Sequence, residues 1–260
     1  MNEVTLSQAV SPPVDSSGVV ITVRHLQKSF GDHVVLRDFN FTLQAEENLA
    51  VLGKSGSGKS VLIKCIVGLI PPDAGEIQVL GKNVPYLEHE ELDILRRDLG
   101  FLFQWGALYD SMTVRENLIF PLRKHSDKTK QQIAQKVEEV LESVGLPEAV
   151  DLMPSELSGG MKKRIALART LMLEPKIIFY DEPTTGLDPV TAKEISELIR
   201  EVQQQHQTAA IVITHDMECV KITADRVILL SDGINYAEGT YETLRRSNDP
   251  TVKAFFGNND

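Results

Sequence analysis

A glycine-rich octapeptide that ends in lysine and serine is the stretch of this 260-residue sequence best suited to chemistry. Its residues are Gly53, Lys54, Ser55, Gly56, Ser57, Gly58, Lys59 and Ser60. The pattern is typical of a P-loop, in which backbone N–H groups surround the phosphates of a nucleotide such as ATP. Lys59 would reach the β- and γ-phosphate oxygens, and the Ser60 hydroxyl would ligate Mg²⁺. The alternative is a glycine-rich turn that binds nothing.

The flanking segments favour the P-loop over an unliganded turn. Residues 48–52 form a short apolar run that predicts a buried strand, and residues 61–68 have the length and apolarity of a helix. A strand that leads through a glycine-rich turn into a helix directs several backbone N–H groups at one point. The helix dipole adds partial positive charge there.

Two acidic residues follow a second apolar run. Residues 176–180 predict a buried strand, and Asp181 and Glu182 come next. At the carboxyl end of a parallel strand these side chains would lie beside the P-loop, where Asp181 can hold Mg²⁺ through a water. Glu182 would orient and polarise the attacking water as general base. Acids at strand ends are common, so this assignment depends on its pairing with the P-loop.

A second glycine-rich turn, Ser158-Gly159-Gly160, precedes a helix-forming segment. Ser158 is a good N-cap, and the glycines leave backbone N–H groups open at the helix start, which makes another anion-binding device. One phosphate chain does not need two such devices from one subunit. The turn therefore indicates a contact with the nucleotide of a partner subunit, with a plain helix cap as the alternative.

With these motifs the sequence resembles the ATP-binding-cassette (ABC) ATPases, whose Leu-Ser-Gly-Gly-Gln signature lies at this place. The resemblance covers about residues 19–256. It implies that Gln104 is the Q-loop glutamine, which touches Mg²⁺ and the attacking water. It further implies that Asp188 belongs to the D-loop across a dimer seam and that His215 is the switch histidine near the γ-phosphate. Phe30 matches the aromatic residue that stacks on adenine, although a packed core phenylalanine is the alternative.

Two segments narrow the resemblance to the ATPase subunits of MCE-type lipid transporters. They are residues 105–114 and residues 152–164, the second of which carries Met161 where the signature has glutamine. Methionine cannot donate the hydrogen bond expected of that glutamine. The resemblance implies a head-to-tail dimer of two copies, each ATP lying between one P-loop and the opposite Ser158-Gly159-Gly160.

The same resemblance implies the partners and the place of action. They would be an integral-membrane permease and an MCE-domain lipid-binding protein, and the cargo would be phospholipid moving between inner and outer membranes. The ATPase would be cytoplasmic and peripheral on the inner membrane, held there by the permease.

Composition agrees with such a role. The sequence has 27 Lys and Arg residues against 37 Asp and Glu residues, a net charge of −10, which argues against a nucleic-acid-binding surface. No apolar run approaches the roughly 18 residues of a membrane-spanning helix. Cys65 and Cys219 each lie in an apolar stretch, which predicts buried free thiols in a reducing compartment.

The alternation of apolar runs and helical segments predicts an α/β fold with a mainly parallel sheet. The resemblance implies that this sheet belongs to a P-loop NTPase (RecA-like) core. Residues 19–23 and 34–43 would form an antiparallel β portion, and residues 105–155 an inserted α-helical lobe containing an amphipathic helix over 128–144. Residues 1–18 would be a flexible N-terminal tail before an ABC ATPase domain of residues 19–260, whose last part, about 245–260, forms a C-terminal tail.

Three other functions stay open. The first is an ABC ATPase of another importer or of a lipoprotein-extracting system. The second is a soluble, non-transport ABC ATPase, although such proteins usually carry two cassettes or a long coiled-coil insertion. The third is a small-molecule kinase that uses the P-loop alone, which would leave Gln104, His215 and the Ser158 turn without a role.

Overall fold

The computed structural model describes residues 5–6, 18–104, 106–125 and 128–256. Most of the predicted N-terminal tail, together with Trp105 and residues 257–260, lies outside these ranges. The described strands follow in chain order: β1 (Thr5–Leu6), β2 (Val19–Phe30), β3 (His33–Gln44), β4 (Asn48–Leu52), β5 (Ala74–Val79), β6 (Lys82–Asn83), β7 (Leu99–Leu102), β8 (Ile177–Asp181), β9 (Ala209–Ile213), β10 (Arg226–Ser231) and β11 (Ile234–Gly239).

The described α-helices are α1 (Lys59–Ile66), α2 (His89–Arg97), α3 (Val114–Ile119), α4 (Leu122–His125), α5 (Lys130–Ser143), α6 (Gly159–Leu171), α7 (Pro189–His206), α8 (Met217–Thr223), α9 (Tyr241–Arg245) and α10 (Pro250–Phe256). Single 3₁₀ turns occupy Val84–Tyr86, Pro147–Ala149 and Pro154–Glu156. No strand occurs between β7 and β8 in the described residues, as the loss of strand patterning after residue 104 predicts.

The strands form one sheet in the order β6-β5-β2-β3-β11-β10-β4-β9-β8-β7, with β1 beside β11. Strands β10, β4, β9, β8 and β7 pair in parallel, whereas β2, β3, β5 and β6 pair antiparallel. The α/β prediction, with its parallel core and antiparallel portion, is confirmed. The carboxyl ends of β4, β8 and β9 consequently meet at one edge, where parallel sheets bind ligands.

Strand β2 is longer than the sequence predicted, and an irregularity explains the error. The prediction stopped at residue 23, but pairing with β3 continues to Phe30 after register shifts that include the interval between Val23 and Leu26. His25, inside that interval, has a left-handed φ of 51°. The bulge breaks the two-residue alternation on which strand prediction depends, so the rest of the strand was missed.

The sheet is buried on both faces. One apolar cluster packs α1 and the antiparallel strands together, and a second unites α3, α5, α6 and α7 with the opposite face of β8 and β9. A third cluster joins β10 and β11 to the C-terminal helices through residues such as Leu229, Leu244 and Phe256. The predicted amphipathic helix is α5, whose Val137, Val140 and Leu141 are buried in the second cluster.

Both cysteines are buried free thiols, as predicted. Burial raises the pKa of each to about 11, so neither is a reactive thiolate near neutral pH. None of the helices in the described ranges combines the length and apolarity that a bilayer crossing requires.

Candidate ATP-binding site

A cavity of about 710 Å³ opens at the carboxyl ends of β4, β8 and β9. Its lining combines the complete P-loop with acidic, amide and imidazole side chains and an apolar margin. The lining residues are Phe30, Val35, Leu52, Gly53, Lys54, Ser55, Gly56, Ser57, Gly58, Lys59, Ser60, Val61, Gln104, Asp181, Glu182, Ile213, His215, Met217 and Phe255.

The P-loop is shaped to receive an anion. Gly58, the residue before α1, has a left-handed φ of 104°, and a Cβ there would lie 2.7 Å from Val35 Cγ1, so only glycine fits. No side chain caps the first turn of α1, which leaves its N–H groups to an external acceptor. The Ser57 hydroxyl is buried without a hydrogen-bond partner in the described residues. These open donors fit the phosphates of a nucleotide.

Lys59 is buried at the base of the loop. Its ammonium donates hydrogen bonds to the carbonyl oxygens of Gly53 at 2.7 Å and Lys54 at 3.1 Å. Burial lowers its pKa, against the opposing charges of Glu182 and Asp181. A positive charge with little access to water gains most from an anionic ligand, because the phosphate replaces solvation that the fold has removed.

The two predicted acids stand at the end of β8, facing different surroundings. Burial raises the pKa of Asp181, and the neighbouring Glu182 carboxylate raises it further, so a cation beside Asp181 would be favourable. Glu182 has a left-handed φ of 49°, and its N–H donates to the carbonyl of Ile213 at 2.8 Å. Strained backbone of this kind persists where the surrounding structure holds it, often at functional sites.

The Glu182 carboxylate is held by three neighbours. Its Oε2 accepts hydrogen bonds from the hydroxyls of Thr185 at 3.3 Å and Thr214 at 3.4 Å and lies 2.9 Å from His215 Nδ1. The side chain of His215 is 72% exposed and lines the cavity. The arrangement fixes the carboxylate of the predicted general base beside the predicted switch histidine.

Gln104 lies two residues beyond β7 and reaches the same cavity. Its backbone carbonyl accepts a hydrogen bond from Lys163, on α6. Phe30, at the end of β2, is 49% exposed and also lines the cavity, so it is not the packed core residue of the alternative interpretation. Lys28 Nζ lies 5.5 Å from the centre of the Phe30 ring.

The residues of the second glycine-rich turn, Ser158-Gly159-Gly160, lie outside this cavity. Ser158 caps α6, its hydroxyl accepting from the N–H of Met161 at 3.2 Å, and Ser158 and Gly159 are exposed. Gly160 is buried, and a Cβ on it would lie 2.6 Å from Thr191 Cγ2. None of the three lines the cavity of its own chain. The predicted phosphate-binding groups thus divide into two sets on this subunit.

Asp188 and Met161 have structural partners of their own. The Asp188 carboxylate caps α7, accepting from the N–H groups of Val190 and Thr191 at 3.1 Å each. Hydrogen bonds from Thr191 lower the pKa of Asp188. Met161 is half-buried and packs against the second apolar cluster, a contact that a glutamine amide would not favour.

Comparison with known proteins shows the family to which a chain with this site belongs. The family model described as ABC transporter matches residues 36–185, which include the P-loop, Gln104, the Ser158 turn and both acids. The chain belongs to the ABC transporter family. The resemblance inferred from the motifs is therefore confirmed, and the cassette is an ATP-binding, ATP-hydrolysing enzyme.

Similar proteins match this ABC cassette over most of its length. It is 40% identical over 236 residues to the Intermembrane phospholipid transport system ATP-binding protein MlaF of Haemophilus influenzae, an alignment that covers 91% of this chain and 89% of the relative. It is 37% identical over 258 residues to Protein TRIGALACTOSYLDIACYLGLYCEROL 3, chloroplastic, of Arabidopsis thaliana, which covers 93% of this chain and 74% of the relative.

A solved structure relates the cassette to a dimer. The dimeric post-hydrolysis state of the ATP-binding cassette MJ0796, bound to ADP and Pi, superimposes with a TM-score of 0.75 at 30% identity. The match covers 85% of this chain and 98% of the other. It supports both the nucleotide-binding fold and the formation of cassette dimers.

Sequence reasoning missed residues that the fold brings to the site. Lys163 lies in a run of basic residues typical of a solvated surface, yet it is buried and donates to the carbonyls of Gln104 and, at 3.4 Å, Glu182. Its spacing to buried Ala166 and Leu167, three and four residues on, was the available signal. Phe255 belongs to no motif and was missed entirely.

Proposed function

We propose that this cassette is the ATP-hydrolysing subunit of a membrane ABC transporter that moves phospholipid between inner and outer membranes. Its similarity to MlaF, named for an intermembrane phospholipid transport system, supports the cargo. The observation that carries the mechanism is the separation of the exposed Ser158 turn from the P-loop cavity of the same chain.

In this mechanism the P-loop grips the phosphates and Glu182 acts on the attacking water. Lys59 and the N–H groups at the start of α1 neutralise the β- and γ-phosphates, while the Glu182 carboxylate, held by Thr185, Thr214 and His215, accepts the proton of the water. Phosphoryl transfer needs positioning and charge compensation more than covalent chemistry.

A magnesium ion fits the residues at this edge of the sheet. Ser60 and Asp181 offer a hydroxyl and a carboxylate oxygen, and Gln104 offers an amide oxygen, the ligand type that Mg²⁺ prefers. No cluster of three His, Cys, Asp or Glu side chains suited to a metal occurs in the described ranges. When bound, Mg²⁺ neutralises charge that develops on the transferred phosphoryl group.

Two copies of the cassette would enclose two ATP molecules head to tail. Ser158 and Gly159 face solvent in the single chain, so the N-terminus of α6 is free to meet the phosphates held by a partner's P-loop. Neither surface alone surrounds the γ-phosphate. Closure of the dimer would therefore require ATP, and hydrolysis would allow the dimer to open again. This cycle would supply a mechanical stroke.

A mixing experiment tests the shared site. Lys59→Ala removes one half of the phosphate grip. Ser158→Asp keeps a good N-cap but sets a negative charge against the phosphates. Each homodimer should be nearly inactive. A mixture should regain ATPase activity, because every heterodimer pairs one intact P-loop with one intact Ser158 turn. No recovery, although native mass spectrometry detects heterodimers, would contradict the shared site.

The helical segment beyond Gln104 would transmit this stroke to a permease. Tyr109 and Phe120 lie with ring centres 4.6 Å apart and both remain substantially exposed. Arg169 on α6 donates to the carbonyls of Gly106 and Ala107 at 3.0 and 2.8 Å, which ties this segment to the helix that begins at Ser158. A permease loop docked here would hold the ATPase on the cytoplasmic face of the inner membrane.

Purification of the native complex tests the cargo and partners. The cassette should co-purify with a multi-span permease and an MCE-domain protein, and the complex in vesicles should transfer fluorescent phospholipid only with ATP. Glu182→Gln is the matched inactive control. Recovery with a different type of permease, or ATP-driven movement of lipoprotein instead of phospholipid, would reject the proposed cargo while leaving the ATPase assignment intact.

A further inference from the structure

We propose that Phe255, in the C-terminal helix α10, contacts the base of bound ATP and forms the base site together with Phe30. The inference depends on the proposed ATP site and adds to it a residue outside the family motifs. It makes α10 part of the nucleotide site instead of a peripheral tail.

The composition of the cavity carries the first step. At the P-loop it presents N–H groups and Lys59, which suit phosphates. Its apolar margin, by contrast, includes side chains from three elements remote from the loop in sequence: Phe30 from β2, Met217 from α8 and Phe255 from α10. A purine ring is flat and apolar on its faces, and aromatic side chains are the usual surfaces on which bases stack.

The seating of α10 carries the second step. Val252 and Phe256 are buried in the third apolar cluster, and the Phe256 ring lies 5.5 Å from that of Tyr241. Asp249 caps the helix start, accepting from the N–H groups of Thr251 and Val252 at 2.8 and 3.0 Å.

A further bond fixes this cap. The Asp249 carboxylate also accepts from the Tyr236 hydroxyl on β11 at 3.1 Å. The helix is thus tied to the sheet on one side, while Phe255 stays only half-buried and lines the cavity. An anchored helix with a half-exposed ring at the cavity is what a base contact requires.

The same cluster links two of the three apolar side chains at this margin. Met217 and Phe255 both pack against the third cluster and both line the cavity. A base that touches Phe255 would therefore add packing to α10, so occupancy of the nucleotide site would stabilise the C-terminal helix.

Binding measurements with two probes test the contact. Phe255→Ala should weaken ATP binding by about tenfold, in line with the loss of one base–aromatic contact. Affinity for inorganic tripolyphosphate, which has no base, should stay unchanged. Phe255→Trp should retain ATP affinity, and Lys253→Ala, an exposed change on the same helix, should affect neither probe. Isothermal titration calorimetry measures the affinity of the wild type and the three variants for both probes.

The outcomes separate this inference from the ATP site itself. Unchanged ATP affinity in a folded Phe255→Ala variant, or equal weakening of both probes, would overturn the base contact. Either result leaves the P-loop assignment standing, because that assignment is tested by Lys59→Ala, which should weaken both probes. ATP binding that survives Lys59→Ala would instead reject the site.

Hydrogen exchange on the unmodified protein keeps the inference testable if Phe255→Ala does not fold. ATP should slow amide exchange in α10, and tripolyphosphate should not. Exchange in α10 that ATP leaves unchanged, at concentrations where the P-loop amides are protected, would overturn the proposal.

Discussion

Two helices of this cassette begin at glycine-rich turns, and their surroundings differ. The turn before α1 lies inside the cavity, has no side-chain cap, and is accompanied by buried Lys59 and two carboxylates. The turn before α6 is capped by its own Ser158 hydroxyl, is exposed over its first two residues, and borders no nucleotide cavity of its chain.

The difference teaches that two glycine-rich helix starts in one chain can have different surroundings: the start of α1 lines a cavity of its own chain, whereas the start of α6 is exposed, as the proposed dimer requires. The P-loop combines open N–H donors with the ammonium of Lys59 in one cavity. The Ser158 turn offers N–H donors and does not line that cavity. A helix N-terminus with open N–H groups is stabilised by a negatively charged ligand. For the second turn we propose that this ligand is the partner's nucleotide.

The largest expected effect concerns Glu182, which lines the P-loop cavity. Glu182→Gln should lower turnover by about 10²- to 10⁴-fold, the usual worth of a general base, while ATP binding remains. Steady-state ATPase assays and calorimetry measure the two quantities. Glu201→Gln, an exposed change on α7, is the control. Normal hydrolysis by Glu182→Gln would remove Glu182 from its role.

The next effect separates two lysines of α1. Lys59→Ala should weaken ATP binding by about 10- to 100-fold, since a hydrogen bond to a charged group contributes about 1.5–3 kcal/mol. Lys64→Ala, on the exposed face of the same helix, should bind ATP normally. Equal affinities for the two variants would show that the phosphates are not held by Lys59.

A smaller effect tests the connection between the two turns. Lys163→Met should reduce kcat by about tenfold with little change in KM, because Lys163 touches the carbonyls of Gln104 and Glu182 and not the nucleotide. Lys162→Met, exposed on the same helix, should behave as the wild type. A rise in KM without loss of kcat would mean that Lys163 contributes to ATP binding instead.

The smallest effect concerns the cap of the second turn. Ser158→Ala removes the hydroxyl that accepts from Met161, so the free energy of unfolding should fall by about 1 kcal/mol. Denaturant melts measure the loss. Binding of ATP to the single chain should not change, since Ser158 does not line that cavity. Weakened binding to the isolated subunit would contradict the division between the two turns.

The local chemistry of the site was predictable because it is written in contiguous residues. The P-loop, the acids at the end of β8 and the serine cap of α6 each depend on neighbours within a few positions, so a short segment contains the whole signal. The parallel core was predictable for a similar reason, as buried strands read as apolar runs. The bulge at His25 defeated the alternation rule, and β2 was cut short.

Tertiary structure alone decided which distant residues meet. Lys163 reads as a surface lysine until α6 packs beneath Gln104 and Glu182, and Phe255 reads as part of a tail until α10 docks beside the cavity. The sequence by itself predicted the phosphate-binding loop, the general base and the two helix starts. Only the fold determined that one helix start faces its own cavity and the other faces outward. Orientation depends on the packing of whole elements, and no spacing of residues along the chain encodes it.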